Sequence, residues 1–137
     1  MIQFNDDFGR HVLERLEHEL IVWLTTVSKD GTPQPNPVWF IWDGETCLIF
    51  TQPESAKVQN IKRSPKVSLH FEGASSGEDD VVVLIGEAVV NEDPIPIPQE
   101  YRVKYEQALK KINFTWEKME TEYNTAITIH LNKYRGF

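Results

Sequence analysis

Residues 51–71 read TQPESAKVQNIKRSPKVSLHF. They carry four positive charges, Lys57, Lys62, Arg63 and Lys66, in a chain whose formal net charge is −7. The stretch begins where an apolar run, Thr46 to Thr51, ends. Residues 54–63 then read as a short helix with Val58 and Ile61 inward, stopped at Ser64-Pro65 because proline cannot continue a helix and disfavours the turn before it. From Lys66 the pattern alternates, with Val67, Leu69 and Phe71 on one face, the period of a half-buried strand. Strand, helix and strand therefore follow within about 25 residues, and the hydroxyls Thr51 and Ser55 stand just ahead of Lys57 at the first junction.

The same grammar runs outward in both directions. Phe8, Val12, Leu13, Leu16 and Leu20 recur at helical spacing, which predicts an amphipathic helix over 6–18 with Asp6 or Asp7 as its N-cap. LIVWLTTVS is a buried strand. Lys29-Asp30-Gly31 supplies a hairpin turn. The next strand, over 33–42, begins with Pro33, Pro35 and Pro37, which cannot donate to a ladder, so its first half belongs at an edge or a barrel rim. Asp43-Gly44 is a second turn, and TCLIFT a third strand. GASSGEDD reads as a polar loop, with Glu78-Asp79-Asp80 a solvated acidic cluster. DVVVLIGEAVVNE is a long strand with Gly86 at a bulge or bend, and DPIPIPQ is a stiff connector. Tyr101, Tyr105, Ala108, Leu109 and Ile112 mark a further helix. A short one carries Trp116 and Met119. AITIHLNKY is the last strand. Six antiparallel strands with hairpin connections tend to close into a small barrel, which removes exposed edges.

Composition sets the outer bounds. A chain of 137 residues, 40% hydrophobic and 26% charged, fits one globular domain over 1–137. The acidic balance argues against a nucleic-acid partner, which needs dense basic surface, and it favours solubility. No apolar stretch is long enough to span a bilayer, and the N-terminus does not read as a signal peptide. Cys47 is the single cysteine, which excludes an internal disulfide and points to a reducing cytoplasm.

The chemistry is sparse. Neither CxxC, HExxH, GxSxG nor a glycine-rich phosphate loop occurs, so no metal site is expected. His11, His18, His70 and His130 are scattered, and Cys47 lies in an apolar strand as a core residue. No catalytic side chain can be named, so any reaction would belong to a bound cofactor. Two features suggest one. Thr51, Ser55 and Lys57 lie at the start of a helix, whose free N–H groups favour an anion; the plainer alternative is a capped surface helix, and Glu54 puts a negative charge next to the place. Within PQPNPVWFIWDG, Trp39 and Trp42 offer flat apolar surface beside backbone groups left free by proline; the alternative is aromatic core packing.

Taken together, Lys29 to Gln34, Pro37 to Phe40, Phe50-Thr51, Ser55 to Ile61 and Ser64 to Val67 resemble, in order and spacing, the pyridoxamine 5′-phosphate oxidase-like superfamily of flavin-binding split barrels. The resemblance runs over about 8–92 and includes the last strand. It implies a mainly β fold with flanking helices, a six-stranded antiparallel split β-barrel. It also implies an oxidoreductase that transfers hydride to a small organic acceptor, and a homodimer with cofactor sites at the interface. The cofactor phosphate would rest on Thr51, Ser55 and Lys57. Asn36, Pro37, Val38 and Trp39 would line the ring system, Phe50 would end the strand beside it, and Trp116 of a second copy would close the site. The oxidases proper carry Arg-Lys where this chain has Ala56-Lys57, and their C-terminal basic motif is not found. The Ser-Ala-Lys form is similar to the branch that binds the deazaflavin F420, with FMN the other cofactor implied. Lys57, Lys62, Arg63 and Lys66 would face the oligoglutamate tail of F420. The alternative is a non-catalytic split barrel that binds or sequesters a flavin, haem or hydrophobic metabolite.

Overall fold

The computed structural model of the chain describes residues 2–73 and 80–137. The element order is α1 (Asp7–His18), β1 (Val22–Val27), β2 (Pro33–Val38), β3 (Ile41–Trp42), β4 (Thr46–Thr51), α2 (Ala56–Arg63), β5 (Lys66–His70), β6 (Val82–Val90), α3 (Gln99–Lys111), α4 (Trp116–Glu122) and β7 (Thr125–Gly136). All the strands join one antiparallel sheet in the order β2-β1-β5-β6-β7-β4-β3. The fold is mainly β with flanking helices, a curled half-barrel of the split-barrel kind.

There are seven strands among the described residues, not the six expected. The expected strand 33–42 breaks into β2 and β3, with Trp39 and Phe40 between them. The break has a large consequence. β2 and β3 are the two outermost strands of the sheet, yet only two residues separate them in sequence. At about 3.3 Å per extended residue, the two edges lie within roughly 10 Å of each other. The sheet is therefore forced to curl, and the Trp39-Phe40 corner is the seam of the split barrel. The prolines of β2 sit on the edge strand, where a missing donor is tolerated.

Side chains at the seam alternate between two cores. Phe40, fully buried, joins the barrel interior, built from Val22 and Leu24 of β1, Leu69 of β5, Leu84 of β6 and Ile127 and Ile129 of β7. α1 contributes Val12 and Leu16 to this core, and α2 contributes Val58 and Ile61. Trp39 instead packs with a second, aromatic cluster of Phe50, Ile97, Tyr101, Tyr105, Met119 and Ala126 under α3 and α4.

Local signals act as the sequence implies. Asp6 caps α1 by accepting from the Gly9 N–H at 2.6 Å, and Gly31 takes φ 89° in the β1–β2 turn. The β6–β7 ladder slips at Ile85/Gly86, where a Cβ on residue 86 would collide with the His130 carbonyl. The expected loop at 73–80 falls largely on residues 74–79, outside the described residues, and Glu78 and Asp79 go with it. No helix among the described residues is long and apolar enough to cross a membrane.

Candidate functional site

α2 starts one turn beyond the end of β4, and a buried asparagine fixes its placement. Asn60, 4% exposed, donates to Thr26 Oγ1 of β1 at 2.9 Å and to Gln34 Oε1 of β2 at 2.7 Å. This ties the helix to both strands that lead to the seam. Lys57, one turn earlier, is thereby aimed back at the end of β4.

There its Nζ donates to Thr51 Oγ1 at 3.4 Å, and Thr51 Oγ1 donates to Ser55 Oγ at 3.3 Å. The three residues singled out in the sequence converge. Thr51 is buried. Ser55 occupies the N-cap position of α2, yet its side chain makes no capping bond, so its hydroxyl keeps hydrogen-bonding capacity for another partner. Lys57 is half-buried, and burial pulls its pKa below that of an ordinary lysine. Among the described residues no carboxylate lies within ion-pair distance of it; Glu54 is exposed and does not pair with it. A half-buried ammonium bonded only to a neutral hydroxyl is an unbalanced charge, and an anion would balance it.

Lys57 and Thr51 stand at one side of a cavity of about 390 Å³, within the range of small-molecule sites. The seam supplies Pro37, Val38 and Trp39, and β4 supplies Phe50. α3 brings Tyr101, Leu109 and Ile112, and the α4 side brings Phe114, Met119 and Tyr123. The indole of Trp39 is held flat by Tyr105, with ring centroids 4.5 Å apart and planes at 4°. Tyr105 also braces the seam backbone. Its hydroxyl accepts from the Phe40 N–H at 2.8 Å and lies 2.7 Å from the Leu20 carbonyl and 2.9 Å from that of Phe40. Lys104 donates to the same Phe40 carbonyl at 2.9 Å with its ammonium over the Phe40 ring. Burial pushes its pKa down to about 8.

Tyr101 differs from Tyr105. It is also fully buried, but its hydroxyl has no hydrogen-bond partner among the described residues. An unmade bond on a buried hydroxyl costs about 1–3 kcal/mol.

Of the residues named from sequence, Pro37, Val38, Trp39, Phe50, Thr51 and Lys57 line this cavity, and Ser55 bonds to one that does. Asn36 is exposed on β2 and Trp116 packs behind Tyr101; neither lines it. Trp116 Nε1 donates to Glu106 Oε2 at 2.8 Å, and Arg102 lies over its ring. Lys62, Arg63 and Lys66 are exposed beyond the cavity. Sequence reasoning missed Tyr101, Tyr123 and the apolar wall from α3 and α4. Tyr101 and Leu109 carried a helical period, which says core and nothing more.

The other reactive groups lie elsewhere. Cys47 is fully buried in the barrel, and burial pushes its thiol up to about 12. His11 pairs with Asp80 at 2.8 Å, His18 Nδ1 meets the Glu14 carbonyl at 2.9 Å, and His70 stacks on Trp23. None of the four histidines lines the cavity. No group of three metal-ligating side chains forms among the described residues.

The donor set fits a phosphorylated flavin or deazaflavin on two of these observations. The ammonium and hydroxyls at one end suit a phosphate. The flat indole and Phe50 suit a ring system.

Comparison with known proteins bears on the family and the fold. Residues 8–130 match the profile of the family described as pyridoxamine 5′-phosphate oxidase. No curated protein matches the chain by sequence. Among solved structures, the chain is similar to a Listeria innocua protein provisionally named a pyridoxamine 5′-phosphate oxidase, at 22% identity over 96% of this chain and 98% of that one, with a TM-score of 0.68. An F420 reductase is 23% identical over 89% and 94% of the two chains, with a TM-score of 0.60. HutZ, the heme storage protein from Vibrio cholerae, is 11% identical over 93% and 92%, with a TM-score of 0.64. Likeness at these identities speaks for the fold.

Proposed function

The chain belongs to the pyridoxamine 5′-phosphate oxidase family, and from that premise we propose that it is an oxidoreductase that holds F420 or FMN in the seam cavity and reduces a small organic acceptor there. It is not a pyridoxamine phosphate oxidase proper, because Ala56 stands where those enzymes carry arginine. The observation that carries this reading is the Lys57 ammonium, without an ion-pair partner among the described residues, bonded to Thr51 and at a cavity with a flat aromatic wall.

When bound, the reduced cofactor supplies a hydride equivalent. The chain's own part is positional. Lys57, Thr51 and Ser55 clasp the phosphate and so set how deep the ligand sits. Trp39, held by Tyr105, fixes the plane of the ring. The α3–α4 wall of Leu109, Phe114 and Met119 keeps water from the acceptor. In the same reading the protein is a cytoplasmic homodimer whose second copy covers the cavity rim. Ile112 is 61% exposed at that rim and Val103 is 70% exposed on the same helix, apolar surface of the kind a second copy buries.

A storage or sequestering role is the rival, and the lining supports it, since Lys57, Tyr101 and Tyr123 are its only titratable side chains. For haem it lacks a histidine at the cavity. Titration with FMN and F420, followed by oxidation of the reduced cofactor with a panel of acceptors, tests both. Binding with protein-dependent turnover supports the oxidoreductase. Tight binding without turnover by any acceptor supports storage, and no binding of either cofactor refutes both flavin readings.

A further inference from the structure

A residue in an antiparallel strand sends its N–H and C=O to the same neighbouring strand, and successive residues alternate sides. This rule fixes where the backbone of Phe50 points. The Asn91 N–H donates to the Ala126 carbonyl at 2.9 Å, so Ala126 of β7 faces β6. Ala126 stands opposite Phe50 in the β4–β7 register. Phe50 therefore exchanges no bond with β7, and its N–H and C=O point the other way, to the β3 side. The Asp43 N–H, which donates to the Thr46 carbonyl at 3.2 Å, gives β4 the same phase from its other end. On that side β3 is too short to reach. It pairs Trp42 with Cys47 and Ile41 with Leu48, and stops. Carried on, the register would set Trp39 opposite Phe50, but the chain turns at the seam, where the Phe40 N–H is taken by the Tyr105 hydroxyl. Among the described residues, the backbone groups of Phe50 and of Trp39 make no hydrogen bond. The ladder is unzipped here, and both residues line the seam cavity. Buried backbone groups are rarely left unpaired, and Phe50 is only 6% exposed.

We propose that the backbone of Phe50 is a two-point binding site for the lactam or imide edge of a planar ring. The ring N–H donates to the Phe50 carbonyl, and the ring C=O accepts from the Phe50 N–H. This is the exchange that two residues of a hydrogen-bonded pair make in any antiparallel ladder, and the ring edge takes the part of the missing strand residue. Beside it stands the indole of Trp39, held flat on Tyr105 with centroids 4.5 Å apart. A cavity of about 390 Å³ with such a wall suits a ring, not a peptide strand. The proposal rests on the reading above and deepens it: flavins and deazaflavins carry a lactam edge, whereas the rim of a haem carries no N–H. A ring alkylated at that nitrogen loses the donor and leaves the Phe50 carbonyl unpaired. The site therefore rejects it, because discrimination is strongest where the wrong ligand leaves a buried polar group without its bond.

The test is amide NMR with hydrogen exchange on isotope-labelled protein, titrated with 2-quinolone and with N-methyl-2-quinolone, which differ in whether the ring nitrogen carries a proton. In the free protein the Phe50 amide should exchange about tenfold faster than those of Ile49 and Thr51, whose phase turns them to β7. The quinolone should move the Phe50 amide proton downfield and slow its exchange. It should also bind about tenfold more tightly than the N-methyl compound. A Phe50 amide as protected as its two neighbours in the free protein overturns the proposal, because that N–H would already have a partner. So does a quinolone that leaves the Phe50 resonance unmoved, or an N-methyl compound bound as tightly. FMN and F420 titrations on the same sample separate the two readings. Quinolone recognition at Phe50 without cofactor binding refutes the cofactor assignment alone; cofactor binding that leaves the Phe50 amide unprotected refutes this one alone.

Discussion

Trp39 and Phe40 are neighbours in sequence and belong to different worlds. Phe40 enters a mainly aliphatic barrel interior, in which Val22, Leu69, Leu84 and Ile129 are fully buried on paired strands. Trp39 enters a cluster that is mostly aromatic, walled by two helices, and hollow on one side. The barrel side is closed and complete. The flank keeps loose ends: a cavity, an unpaired ammonium and an unbonded phenol. A packed core resists change, whereas binding needs unmet valences, and in this chain the two lie on opposite sides of the seam.

The largest expected contrast is in packing. Leu84 and Leu109 are both buried, at 0% and 3% exposure, but only Leu109 borders the cavity. Leu84→Ala should cost about 3–4 kcal/mol of unfolding free energy and Leu109→Ala only about 1–2 kcal/mol, because the latter's surroundings are already incompletely filled. Urea denaturation of both variants measures this. Equal losses would break the division between closed core and open flank.

The next contrast is within one helix. Tyr105→Phe should destabilise by about 1–3 kcal/mol, since it strips bonds from the Phe40 N–H and the Leu20 carbonyl. Tyr101→Phe should cost nothing. Thermal denaturation of the pair sharpens the comparison, and a matching drop in both would remove it.

The smallest effect is electrostatic and appears as a slope. Lys104 loses its proton near pH 8 in the folded chain and near 10.4 when unfolded, so the unfolded chain binds more protons between those values and stability rises with pH. Lys57, also lowered, adds to the rise. Cys47 opposes it: its folded thiol holds its proton to about 12, whereas an unfolded one ionises near 8.5. Tyr101 and Tyr105, raised by burial, make stability fall above about pH 10. Cys47→Ala should therefore gain about 1.5 kcal/mol more unfolding free energy than the unaltered protein between pH 8.5 and 10, measured by urea denaturation. Parallel slopes would contradict the assignment of the opposing protons.

Much of this was legible in the residues. Asp6, Gly31, the β2 prolines and Gly86 each state a local backbone requirement, and each is met where the pattern placed it. The convergence of Thr51 and Lys57 was legible because the strand–helix junction is short. The seam was not. A run of alternating residues from 33 to 42 does not reveal a corner at Trp39-Phe40, because the corner is made by distant partners, Tyr105 and Lys104, more than 60 residues on in sequence. The same holds for Tyr101. Its spacing says that it is buried, but only the assembled flank shows that its hydroxyl goes unbonded.

The central claim is that Lys57 waits for an anion. Fluorescence titration of FMN and F420 into the protein and into Lys57→Met tests it most directly, since methionine keeps the apolar stem and removes the charge. The favoured cofactor should lose about 100-fold in affinity while the variant's stability is unchanged or improved. An affinity within a factor of about two of the unaltered protein's would contradict it.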